Sequence, residues 1–108
     1  MGDLIFGSRI RAVAEQAAVA CVFVRSRDAL AEHAAGADLV LLDLDARWLD
    51  APASIAALKA APATRDVTIV AFGPHVDEAA LAAARQAGAD RVLARSAFVK
   101  QLPGLLRG

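Results

Sequence analysis

The chain has 108 residues, 57% of them hydrophobic and 22% charged, and its 12 basic and 12 acidic residues balance to zero. That length suits one domain around one core, and the even charge lacks both the basic face of a nucleic-acid binder and the polybasic stretch that seeks an anionic membrane. Mean hydropathy is +0.45, yet no apolar run approaches the roughly 20 residues of a spanning helix, so no nucleic acid and no membrane is expected as a partner.

Short apolar runs alternate along the chain with alanine-rich amphipathic segments. Leu4–Phe6 reads as a short first strand ended by Gly7 and Ser8. A helix from Arg9 to Ala18 follows, with Ile10, Val13, Ala14 and Ala17 on one face and Ser8 as its N-cap. Cys21–Val24 reads as the second strand, and its lone cysteine as a small buried hydrophobe rather than a disulfide partner. Ser26 caps a helix to Ala35, which Gly36 closes.

Leu39–Leu44 is the third strand and the most apolar stretch of the chain; unbroken hydrophobicity suits a parallel strand covered on both faces. A looser segment through Trp48 and Pro52 leads to a helix from Ser54 to Ala61, stopped by Pro62. Val67–Phe72 is the fourth strand, turned by Gly73 and Pro74. Asp77 caps a helix ending at Gly88, and Arg91–Ala94 is a short fifth strand. Ser96 caps a last helix from Ala97 to Leu106, which Pro103 is expected to kink or shorten.

This order predicts one α/β domain over residues 1–108, a (βα)5 chain with right-handed crossovers. Five units are too few for an eight-fold barrel. The expected solution is an open, doubly wound, flavodoxin-like three-layer sandwich, its parallel five-stranded sheet ordered 2-1-3-4-5. Asp43 then stands at the carboxyl end of the central strand, beside the crevice. Asp3 comes early and no basic-then-apolar leader follows, so a cytoplasmic location is expected.

The segment Ala37–Leu44, reading Ala-Asp-Leu-Val-Leu-Leu-Asp-Leu, resembles the third strand of response-regulator receiver domains, whose final aspartate accepts a phosphoryl group from a histidine kinase. Ala87-Gly88-Ala89-Asp90 is similar to the Gly-Ala-Asp that joins the fourth helix to the fifth strand there. Element order and spacing follow the family over essentially the whole chain. The resemblance implies two-component, phosphorelay-type signalling with Asp43 as the phosphoacceptor equivalent. It also shows departures. Receivers carry an acidic pair after the first strand, where this chain has Gly7, Ser8 and Arg9. They carry Thr or Ser after the fourth, where Gly73 stands, and Lys-Pro after the fifth, where Arg95 and Ser96 stand.

Magnesium asks for near-octahedral oxygen ligation, usually through one or two carboxylates and several waters. Asp43 beside Arg9 and Arg95 is a poor set for that, even with Asp45 two residues on, and no metal is expected unless Asp43 is phosphorylated with magnesium. An arginine stays charged and grips a carboxylate well, so Arg95 or Arg9 is expected to pair with Asp43. His33 reads as surface-exposed or partly packed, and His75, beside the crevice, as a solvated loop residue rather than a phosphoacceptor or an acid/base. Trp48 covers the core edge or faces a partner. Ser8 lacks a His–Asp pair that would make it a nucleophile, and no glycine-rich phosphate loop follows a strand.

Three functions are open at this point. The first is a degenerate, pseudo-receiver module, not an enzyme, working through protein–protein contact with a histidine kinase, a downstream signalling protein or a second copy. Alanines along Glu78–Ala87 and the apolar residues Phe98, Leu102, Leu105 and Leu106 are its interface candidates, unless they simply finish the core. The second is an active single-domain response regulator phosphorylated on Asp43. The third is a flavodoxin-like domain binding a small ligand in the strand-end crevice.

Overall fold

The computed structural model describes residues 4–18 and 22–107, with side chains from residue 10 onward. Three apolar runs make the sheet: β1 (Leu39–Asp43), β2 (Thr68–Gly73) and β3 (Arg91–Ala94), all parallel and ordered β1-β2-β3. Their register runs from Leu39 opposite Thr68 to Asp43 opposite Phe72, and from Val70 opposite Arg91 to Gly73 opposite Ala94. Five helices surround them: α1 (Leu4–Gln16), α2 (Arg27–Ala34), α3 (Ala51–Ala60), α4 (Glu78–Ala87) and α5 (Arg95–Arg107).

Successive side chains of a strand point to opposite faces, and β2 shows what that does here. Ile69 and Ala71 enter a cluster with Leu30, Val40, Leu42, Ile55, Leu58 and Ala84, under α2, α3 and α4. Val70 and Phe72 enter a second cluster with Ile10, Phe98 and Leu102, under α1 and α5. The rings of Phe72 and Phe98 stack at 4.0 Å between centroids. Burial on both faces accounts for the unbroken apolar run of β1. The result is the expected three-layer α/β sandwich, with the last three strands in the expected order.

The first two expected strands are not found among the described residues. Residues 4–6 are the first turn of α1, and Gly7, Ser8 and Arg9 lie inside that helix rather than in a loop after a strand. Ser8 therefore does not cap it. Phe6, Ile10, Val13 and Ala17 recur at helical spacing, so a three-residue apolar run is too short to outweigh the period that extends it. Residues 22–25 join no ladder, and Cys21 lies outside the described residues.

Several punctuation signals act as read. The Ser26 hydroxyl accepts from Ala29 N–H at 3.1 Å, and the Asp77 carboxylate from Ala80 N–H at 3.2 Å. Gly88 ends α4 at φ +115°, a conformation that favours glycine. Besides α1, two helix starts move. α3 begins at Ala51 with proline in its first turn, and α5 begins at Arg95 directly from β3, so Ser96 is not its cap. α5 also runs through Pro103 to Arg107. No described helix is long and apolar enough to cross a membrane.

Candidate functional site

The carboxyl ends of parallel strands gather loops at one edge of the sheet, and the candidate site is built there. β1 ends at Asp43, and the chain turns at once. Asp43 Oδ1 accepts from Asp45 N–H at 2.9 Å, and its own carbonyl accepts from Ala46 N–H at 3.0 Å. β3 passes into α5 without a loop, which sets Arg95 across the crevice. Arg95 Nη2 donates to Asp43 Oδ1 at 3.2 Å and to Asp45 Oδ2 at 3.0 Å. One guanidinium thus bridges two carboxylates, and the Asp43 side chain keeps 18% of its surface in solvent.

β2 contributes the third wall. A Cβ on Gly73 would stand 3.2 Å from Leu44 Cβ and 3.4 Å from its Cδ1. Leu44 is held in that place by its N–H, which donates to Phe72 O at 2.9 Å. Glycine here lets Leu44 lie across the strand end, where a hydroxyl-bearing side chain would be crowded.

Of the sequence candidates, the structure brings together Asp43, Asp45, Gly73 and Arg95. Gly7, Ser8 and Arg9 belong to α1, and their expected place after a strand is corrected above. His33 and His75 are exposed, as read, and Trp48 is half-buried against the larger core cluster. Phe98 and Leu102 are not surface residues available to a partner: they are 0% and 1% exposed and form the floor of the second cluster. Leu105 and Leu106 are half-buried against the same cluster. The apolar face of α5 is filled because α1 and α5 together cover one side of the sheet, a duty the sequence reading gave to fewer residues. In α4, Leu81 and Ala84 are buried, while Ala79 and Ala82 are exposed.

The Gly88-Ala89-Asp90 turn is structural. Asp90 Oδ2 accepts from Ile69 N–H at 2.7 Å and from Lys59 Nζ at 2.8 Å, and Lys59 also donates to Val67 O at 3.0 Å. Partial desolvation works against the ionised form of Asp90, but the Lys59 and Ile69 hydrogen bonds outweigh it, and the carboxyl is held below its ordinary value. Lys59 was missed from sequence, since it lies 31 residues from Asp90.

A cavity lies at the amino ends of the strands, away from Asp43. It has a volume of about 340 Å³ and is lined by Gly36, Ala37, Asp38, Pro62, Ala63, Asp66 and Val67.

The sequence matches no family model and no curated protein. Solved structures resemble it closely in shape. A response regulator from Hahella chejuensis superposes with a TM-score of 0.80 at 19% identity, over 98% of this chain and 87% of its own. The receiver domain of sensor histidine kinase PA1611 from Pseudomonas aeruginosa, which holds a magnesium ion in its active-site cleft, gives 0.81 at 20%, over 97% and 88%. The phosphorylated cyanobacterial phytochrome response regulator RcpA gives 0.67 at 21%, over 94% and 83%. The fold is that of response-regulator receiver domains. Within the receiver fold, Asp43 ends the strand that the resemblance gives to the phosphoacceptor, Gly73 ends the next strand, and Arg95 follows the last.

Proposed function

We propose that this chain is an atypical receiver domain of two-component type that acts by protein–protein contact rather than by magnesium-dependent phosphoryl transfer. The observation that carries this reading is the Arg95 bridge between Asp43 and Asp45. Phosphoryl transfer is mostly positioning and charge neutralisation around a metal. Here a cation already neutralises the strand-end carboxylate, and a guanidinium offers donors only.

The donor set also fits magnesium poorly. Among the described residues no group of three or more His, Cys, Asp or Glu side chains could hold a metal ion, and both crevice carboxylates are engaged by Arg95. Leu44 crowds the position where a hydroxyl would meet a phosphoryl oxygen. In this reading the domain catalyses nothing, needs no cofactor, and signals to a histidine kinase, a downstream protein or a second copy in the cytoplasm.

The test is incubation with acetyl phosphate and magnesium followed by intact-mass measurement. The expected result is an unchanged mass. Stoichiometric gain of one phosphoryl group, lost in Asp43→Ala, would replace this reading with an active single-domain response regulator.

A further inference from the structure

We draw no further inference here: the strongest candidate, the surface patch in the loop after β2 where Val76 is 77% exposed beside the exposed Asp77 and Glu78, carries nothing because nothing in the structure shows what covers it.

Discussion

Asp43 and Asp90 both flank sheet strands and both face a cation, yet they are held in different ways. The Asp90 carboxylate accepts from Lys59 and from the N–H of Ile69, a residue 0% exposed, and Lys59 reaches on to the Val67 carbonyl. Three elements, α3, β2 and the turn before β3, are tied at one oxygen. Asp43 accepts one backbone N–H, from its own turn, and shares its guanidinium with Asp45. The first arrangement cannot be released without orphaning buried backbone. The second can be rearranged at the cost of exposed and half-exposed ion pairs. Similar charge pairing thus locks the fold at one place and leaves a changeable site at the other.

The sharpest way to break this contrast is to remove Asp90. Asp90→Ala leaves the Ile69 N–H without its acceptor and Lys59 without its anion, and is expected to destabilise the protein by about 1–3 kcal/mol, read as a fall in the denaturation midpoint. The pH dependence carries the same information. The folded carboxyl of Asp90 is lowered, so its contribution is full above the ordinary carboxylate range and is lost as pH falls through the lower folded value. Asp90→Asn is expected to flatten that part of the acid-unfolding curve; an unchanged curve would show that the latch is not what acid breaks.

Gly73→Thr tests the crevice wall. The new Cβ meets Leu44 at 3.2 Å, and a cost of roughly 1–3 kcal/mol is expected from crowding. Gly73→Thr with Leu44→Ala should recover part of it, and a thermal-melt comparison of the two variants gives the coupling. Arg95→Ala should have the smallest effect on stability, under about 1 kcal/mol, because its partners remain partly solvated. Calorimetric titration with magnesium should then show whether freeing the two carboxylates creates affinity that the parent lacks. A parent that binds as tightly as the variant would remove the arginine from the argument.

What could be read from sequence followed from local physics. β1 and β2 are short apolar runs closed by a polar turn and by glycine, β3 is a shorter one, and Ser26, Asp77 and Gly88 mark helix ends by chemistry that acts within four residues. The pairing of Asp43 with Arg95 was also open to reading, because residue type and the ends of two strands placed them together. Leu4–Phe6 was misread, since three apolar residues look alike at the start of a strand or of a helix. Leu44 over Gly73 and Lys59 on Asp90 are contacts between elements distant in sequence, and no spacing announces them. Phe98 and Leu102 were left open between finishing the core and facing a partner, because the part of α1 in covering that face of the sheet was not visible from α5 alone.

Trp48 gives the site a signal of its own. The chain has one tryptophan and no tyrosine, and that indole lies half-buried in the turn that follows Asp43 and Asp45, against the cluster beneath α3. Ultraviolet emission above 300 nm from the unlabelled protein therefore comes from a single place. Any ligand, partner or substitution that shifts the turn after β1 changes that fluorescence directly, and events at the far end of the strands do so only through the core.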